Sequence, residues 1–374
     1  MNKNILTSFL LLIVLSCKQT APESNKPNYS NKKFLLETVE IDQGAYIFND
    51  FYRFFHTNEI EGKEQFWAYN PKAHQLEGYD LDNKVVIGKI PFQKTGPNRI
   101  AQIYSFYVHN MDSIFVLTST NLLLLNKKTQ IKFNYRINNT NNTQIKGIDF
   151  SKNVFCGSTD FMNPIFFCKE KNRLYLPTKS LLARAKKEYY QQSLFGYLDL
   201  KNLIFTKLNT TYPKAYQALI FPNNKANISF ACDKVIYNFP VSSTVFIYQI
   251  DNDQIKSYPA QSHLSANESE GIPLNRYSGD RSSLNNLFTK NPSFYSISYL
   301  PKEALFFRWN FAQSEKENRR GNLILSAFDK KFNLIHEEIL NPYYYRGVAT
   351  KKGFLIQNMQ DRKEGKFVFT LVHF

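Results

Sequence analysis

Apolar stretches of a few residues alternate with polar turns along almost the whole chain, and they come in pairs. Six times a short apolar strand, a polar turn and a second apolar strand recur: DFYRFFH with QFWAYN, IYSFYVH-NMD-SIFVLTS, PIFFC-KEKN-RLYLPT, NISFA-CDK-VIYNFP, FYSISY-LPKE-ALFFRWN and RGVAT-KKG-FLIQNM. A second strand–turn–strand unit follows most of them, as in QLEGYDLDNKVVIGKI, LLLLNKKTQIKF, SLFGYLDLKNLIFTKL, VFIYQIDNDQIKSY and LILSAFDKKFNLI. The Asn, Asp and Lys residues at their centres are those that hairpin turns favour. Four strands per repeat and six repeats predict an all-β, six-bladed β-propeller. A seven-bladed ring, or two β-sandwiches divided near residue 215, are the competing arrangements.

The last repeat, which ends KFVFTLVHF, supplies only three strands. FLLETVEID at 34–42 predicts the fourth, so the ring is expected to close by pairing the start of the domain with its end and thereby to lose its exposed edges. Gly96-Pro97-Asn98, Tyr212-Pro213, Tyr258-Pro259 and Asn341-Pro342 follow predicted fourth strands. Proline cannot donate to a ladder and so ends the strand before it. These loops are expected on one face, the face such rings commonly use for binding.

Ahead of the repeats, Lys3, an eleven-residue apolar run from Ile5 to Leu15 and the small Ser16 read as a secretory signal. The run is too short to span a bilayer, which takes roughly 20 residues. Val14-Leu15-Ser16-Cys17 resembles a bacterial lipobox, which implies cleavage before Cys17 and a diacylglycerol on its thiol. The expected organisation is a signal peptide at 1–16, a lipidated cysteine and flexible tether at 17–33, and one propeller domain at 34–374. The tether, KQTAPESNKPNYSNKK, has almost nothing apolar and reaches about 20–25 Å as a flexible chain. Lys18 stands where an inner-membrane retention signal would place Asp, which favours an outer-membrane lipoprotein. No acidic run follows, which favours the periplasmic leaflet over the cell surface.

Composition agrees with strands: 33 Phe and 23 Tyr are residues of pleated, half-buried surfaces. The 47 Lys and Arg against 31 Asp and Glu give a net charge of +16. A surface of this sign attracts polyanions, but the basic residues are scattered among turns rather than set in a stripe, so no nucleic-acid partner is expected. Beyond Cys17 the chain has Cys156, Cys168 and Cys232. An odd number excludes a complete disulfide framework, and the settings VFC, IFFC and SFAC suggest buried small hydrophobes. A Cys156–Cys168 bridge is the open alternative in an oxidising compartment.

The stretch YNPKAHQLEGYDLDNKVVIGKIPFQKTGPNRI resembles a family of Bacteroidota lipoproteins of unknown function, domain-of-unknown-function family 4221. In that family a strand, a YDL hairpin and an aromatic-containing strand lead to a Gly-Pro-Asn loop. Here those elements are Tyr79-Asp80-Leu81, Phe92 and Gly96-Pro97-Asn98, while Thr95 and Arg99 stand where the family usually has Glu and Gly. The resemblance implies a six-bladed-propeller-like fold in the cell envelope and brings no activity with it.

No nucleophile elbow, P-loop, zinc quartet or dinucleotide fingerprint is present. Asp80/Asp82 and Asp251/Asp253 lack the glycine and distal glutamate of a calcium loop and read as turn residues. His336-Glu337-Glu338 lies on a predicted strand, where alternation sends neighbours to opposite faces, and reads as a solvated outer strand. The predicted first strands FYVH, IFF, ISF and ISY offer a central channel few metal ligands. The reading is therefore a monomeric binding or scaffolding module for an envelope partner or an acidic glycan, with no cofactor or metal. The alternative is a calcium-dependent, lactonase-like hydrolase.

Cys17 is the lipidation site, which anchors the domain to the membrane. Gly96, Pro97, Asn98 and Arg99 are the candidate ligand loop: glycine permits the turn, proline stiffens it, and the Arg99 fork suits carboxylate or phosphate. Asp112-Ser113-Ile114 resembles an O-glycosylation acceptor, with Ser113 as the modified residue. The connection at 259–292 is far longer than usual and polar throughout, so it is expected to be a lid or to be disordered.

Overall fold

The computed structural model describes residues 33–43, 55–96, 99–100, 102–137, 145–155, 165–184, 186–277, 281–314, 320–340, 344–361, 363 and 365–374. Cys17, Pro97, Asn98, Cys156 and Pro342 lie outside them. Strand β1 (Leu35–Asp42) is followed by an antiparallel meander of β2 (Phe55–Ile60), β3 (Lys63–Asn70), β4 (Gln75–Asp80) and β5 (Val85–Pro91). The second meander is β6 (Ser105–Asn110), β7 (Ser113–Leu117), β8 (Asn121–Leu125) and β9 (Ile131–Arg136). In the third sheet β10 (Asn153–Phe155) and β11 (Phe166–Cys168) pair with successive parts of β12 (Arg173–Ser180), which continues to β13 (Phe195–Asp199) and β14 (Ile204–Lys207). A short β15 (Leu219–Ile220) leads to the fourth meander: β16 (Asn227–Phe230), β17 (Lys234–Asn238), β18 (Val245–Gln249) and β19 (Gln254–Tyr258). After β20 (Ile272–Pro273), which pairs with β15, comes the helix α1 (Arg281–Lys290). The fifth sheet is β21 (Ser293–Leu300), β22 (Leu305–Phe311), β23 (Leu323–Phe328) and β24 (Leu334–Leu340); β25 (Tyr344–Thr350), β26 (Gly353–Asn358) and β27 (Lys366–His373) come last.

These last three strands take their fourth from the other end of the chain. β1 runs antiparallel to β27 from Leu35 opposite His373 to Asp42 opposite Lys366, as the FLLETVEID segment predicts. A parallel bridge from Asp42 to Val85 then joins the first and last sheets through β1 and β5. Glu40 on β1 pairs with Lys363 and Lys366, and those two ammonium groups hold its carboxyl down at about 2. β2 is described from Phe55 on, and residues 50–54 of DFYRFFH lie outside the described residues; at its other end Glu61 and Gly62, both at positive φ, make a tight turn that sets Ile60 opposite Lys63.

Alternation explains how the sheets stack. β3 sends Phe66 and Ala68 into a core shared with Val39, Ile41, Phe367 and Phe369, and Trp67 and Tyr69 into another shared with Phe106 and Val116. Trp67 fits because Gly78 faces it across the β3–β4 pair: a Cβ at Gly78 would lie 2.6 Å from the indole ring. β23 and β26 are buried at every position, as strands covered on both faces must be, whereas β19 is exposed along nearly all its length.

The segment 259–292 is built onto the sheets, neither a free lid nor, among its described residues, disordered. Arg308, wholly buried between the Phe294 and Phe328 rings, donates to the carbonyls of Ser243 (2.6 Å) and Ala260 (2.5 Å). Glu337 accepts the backbone N–H groups of His263 (2.7 Å) and Leu264 (3.2 Å) and the Ser326 hydroxyl. Arg320 lies over the Phe288 ring of α1 at 4.2 Å and donates to Tyr295. The expectation of a solvated His336-Glu337-Glu338 strand is corrected with it: the strand is an outer one, but Glu337 is spent on this segment and His336 packs edge-on against Phe34. Among the described residues no helix is long and apolar enough to cross a membrane.

Removing residues 34–42 should bare the whole edge of β27. The expected outcome is concentration-dependent association, read by light scattering after size exclusion. A truncated chain that stays monomeric and unfolds cooperatively would show that this pairing is dispensable.

Candidate functional site

The first strands of the successive sheets lie side by side: β25 beside β2, β2 beside β6, β6 beside β11, and β16 beside β21, which returns to β25. All of them contribute to one axial cavity of about 630 Å³, within the range of small-ligand pockets. The lining comes from the C-terminal parts of β16, β21 and β25 (Phe230, Tyr299 and Ala349), from within β2 and β6 (Thr57 and Tyr107) and from the start of β11 (Phe166), together with Lys234, Gln249 and Lys330 from the adjoining strands and turns.

Polar residues in this wall are mostly committed to holding it together. Thr57 on β2 donates to the Ala349 carbonyl on β25 (3.0 Å), and Asn58 donates to the Val108 carbonyl on β6 (2.8 Å). Asn227 and Ser229 on β16 donate to the Phe294 (3.0 Å) and Ile297 (2.9 Å) carbonyls on β21. Ser105 on β6 accepts the Ile165 N–H that precedes β11 (3.3 Å). Each such bond contributes about 1 kcal/mol net, and losing a partner in a buried site costs more than that.

His56 sits in the same wall, stacked on Tyr107 with ring centroids 5.0 Å apart. Its Nε2 accepts the Val108 N–H (3.3 Å), which fixes the neutral ring with its proton on Nδ1. Burial pushes the imidazole down to about 4. Burial, and after it the charge of Glu170, pushes the Tyr107 hydroxyl up to about 12.

β11 and β16 are the neighbouring first strands that touch least, and a covalent bond spans them. Cys168 at the end of β11 is joined to Cys232 just past β16, with Cα atoms 5.3 Å apart and a sequence separation of 64. A cross-link closing a loop of that size stabilises by about 2–4 kcal/mol. The bridge replaces both sequence expectations, free apolar cysteines and a Cys156–Cys168 pair: adjacent strands ending at the same level bring residues remote in sequence together. Glu170 Oε2 lies 3.4 Å from Cys168 Sγ and 3.2 Å from Cys232 Sγ. Among the described residues these three side chains form the one grouping with metal-ligand potential, and with its sulfurs bonded to each other it is a clip rather than a metal centre. Among the described residues the cavity lining contains no Asp or Glu.

The sequence-predicted loop lies elsewhere. Gly96 takes a φ of +88°, the Arg99 N–H donates to the Gly96 carbonyl (3.2 Å), and the Ile100 N–H donates to the Gln93 carbonyl (2.9 Å). His74 ties the turn to the first sheet through the Ile100 carbonyl (2.6 Å). The turn precedes β6, none of its described residues lines the cavity, and Arg99 is exposed. Ser113 is half-buried at the start of β7, opposite Asn110. Asp80 is a turn residue as expected, accepting the backbone N–H groups of Asp82 and Asn83. Sequence reasoning missed Lys234, Gln249 and Lys330; the available signal was polar residues inside apolar strands, Thr57-Asn58 and Ser229, which marks a wall needing cross-strand donors.

His56 gives the site a pH signature. The unfolded chain takes up its proton near pH 6.5 and the folded one only near 4, so this group costs nothing above 6.5 and disfavours the fold progressively between 6.5 and 4, by about 3 kcal/mol at the acid end. Urea unfolding of His56→Gln at steps from pH 7 to 4 should lack that part of the acid destabilisation. Equal pH slopes for parent and variant would mean that His56 titrates normally.

No curated protein matches the sequence. A family model described as a domain of unknown function, DUF4221, matches residues 31–339. A solved structure of a DUF4221 member from Bacteroides vulgatus superposes with a TM-score of 0.74 at 17% identity, covering 91% of this chain and 98% of that one. A protein from Bacteroides fragilis, exported according to its name, gives 0.53 at 10% identity over 91% and 95% of the two chains. At these identities the likeness is one of fold, which is all-β and propeller-like. The match over residues 31–339 settles the family: the chain belongs to DUF4221.

Proposed function

We propose that this chain is an exported, lipid-anchored binding module, a six-bladed ring of four-stranded blades that holds its ligand in the axial cavity. The observation that carries the reading is the cavity itself: about 630 Å³, shared by every first strand, braced by cross-strand bonds and, among the described residues, without an acidic group in its lining. A calcium-dependent hydrolase needs carboxylates and amides turned toward its ion. Here the amide of Asn58 is spent on the neighbouring strand, so binding is favoured over lactonase-like catalysis.

Export is supported by the disulfide, since such bonds persist in oxidising compartments, and by the signal-like segment ending at Cys17. The exported Bacteroides fragilis protein of similar fold is consistent with the same compartment. With two or more acyl chains on Cys17 the anchor is stable. The exposed Arg99 beside Gly96, Pro97 and Asn98 is a separate proposed contact for an acidic glycan or envelope protein. Ser113 stands as a proposed glycosylation site.

Two measurements test this. In cell fractionation Cys17→Ala should move from the membrane pellet to the soluble fraction. Native mass spectrometry of the protein drawn gently from its own envelope should show a small-molecule adduct that Ala231→Trp, which fills the cavity mouth, has lost. An unchanged adduct on the variant would place the ligand elsewhere. Stoichiometric calcium together with lactone hydrolysis would replace this reading with the enzyme.

A further inference from the structure

Resting on the binding reading above, we infer that the cavity takes an anionic amphiphile, a single-chain carboxylate of the fatty-acid class. Its chain lies along the apolar wall and its carboxylate sits at Lys234 and Lys330. The lining residues overstate how polar the wall is. Thr57, Asn58 and Ser229 have their donors turned to neighbouring carbonyls, and His56 Nε2 is taken by the Val108 N–H. What faces an occupant is dominated by Phe166, Phe230, Ile247, Tyr299 and Phe306. A sugar placed against these rings and aliphatic side chains would lose its water there and could regain hydrogen bonds only at Gln249, Ser298, His56 Nδ1 and the two lysines, at a cost of kilocalories for each buried hydroxyl left unpaired. A hydrocarbon chain gains by the same transfer, roughly 0.8 kcal/mol per methylene.

Among the described residues the charge in the lining has one sign, and its carriers, Lys234 and Lys330, are half-buried and exposed respectively. Lys234 and Lys330 line the cavity, and among the described residues no carboxylate does. Lys234 Nζ lies 3.8 Å from the carboxylate of its sequence neighbour Asp233, itself largely exposed, a pairing worth little in water. Both lysines can lay their methylene stems on the apolar wall while the ammonium groups stay at the mouth. Apolar depth with a cationic rim fits one apolar tail bearing one anionic head.

The position of β1 gives a source for such a molecule. Leu35 pairs with His373, and the Phe354–Val372 pairing places that level beside the β25–β26 turn, directly after the cavity residues Val348 and Ala349. The chain therefore enters the domain at the cavity end, where Leu35 and Leu36 are 67% and 46% exposed. A lipid on Cys17, sixteen residues before Lys33, would hold that end toward the bilayer, where single-chain carboxylates partition.

The probe is parinaric acid, a fluorescent fatty acid, titrated into the full chain carrying Cys17→Ala so that the anchor's acyl groups stay out of the assay. One probe per chain should bind saturably and be displaced by palmitate, with hexadecanol about tenfold weaker, a difference of ~1.4 kcal/mol. The pair Lys234→Gln and Lys330→Gln should weaken parinarate about tenfold and leave hexadecanol unchanged, a split that misfolding cannot produce. Equal affinity for acid and alcohol, or no effect of the lysine pair, would overturn the inference. Saturable uptake of an oligoglucuronide without uptake of parinarate would also overturn it while leaving the cavity as the binding site. Uptake of neither, with the native adduct indifferent to Ala231→Trp, would overturn both readings.

Discussion

The structure depends on side chains of one first strand donating to the backbone of the next. Sheets stacked face to face around an axis pack well through their apolar residues, but their first strands meet edge to edge, where carbonyls and amides would otherwise be buried unpaired. Asn58, Thr57, Asn227, Ser229 and Ser105 satisfy those groups, and each bond also fixes the spacing between two sheets. Where β11 and β16 touch least, the Cys168–Cys232 bond does the same work covalently. The cavity is what remains when this inner wall is held open at a fixed radius.

Closure at the circumference is the second constraint. β1 caps β27 over its full length and touches β5, so the first and last sheets share a continuous ladder. Arg308 and Glu337 extend the principle to irregular chain: the buried guanidinium joins the Ser243 carbonyl of the β17–β18 connection to the Ala260 carbonyl after β19, the Glu337 carboxylate takes the His263 N–H, and so a long connection becomes part of the wall. Burial lowers the Arg308 guanidinium to about 9, and it stays charged at neutral pH. Its two carbonyl partners are the reason a charge is tolerated there.

Much of the fold was legible because hairpins advertise themselves through apolar strands and polar turns. The FLLETVEID segment was readable as a closing strand for the same reason, an apolar pattern with no other partner. Thr57 and Asn58 interrupt the apolar pattern of β2 because they bond the neighbouring strands. The disulfide was not legible, since partners 64 residues apart are brought together only by the curvature of the whole assembly. The candidate site was the least visible part. Gly96 and Arg99 stood out as an unusual local string, whereas Lys234 and Lys330 sit beside ordinary-looking turns and acquire meaning only when the axis brings them to one rim. Local strangeness in a repeat protein reports on a turn; a shared axis reports on a site.

If the committed donors leave an apolar hollow, that hollow should take up an inert apolar atom. Xenon pressurisation of crystals of the protein is the direct measurement, because xenon enters apolar cavities and ignores polar ones. The expected result is ordered xenon against Phe230, Tyr299 and Phe306, deep to the two lysines. A cavity filled by ordered waters bonded to Thr57, Asn58 and Ser229, with no xenon, would contradict the account of how this wall is built.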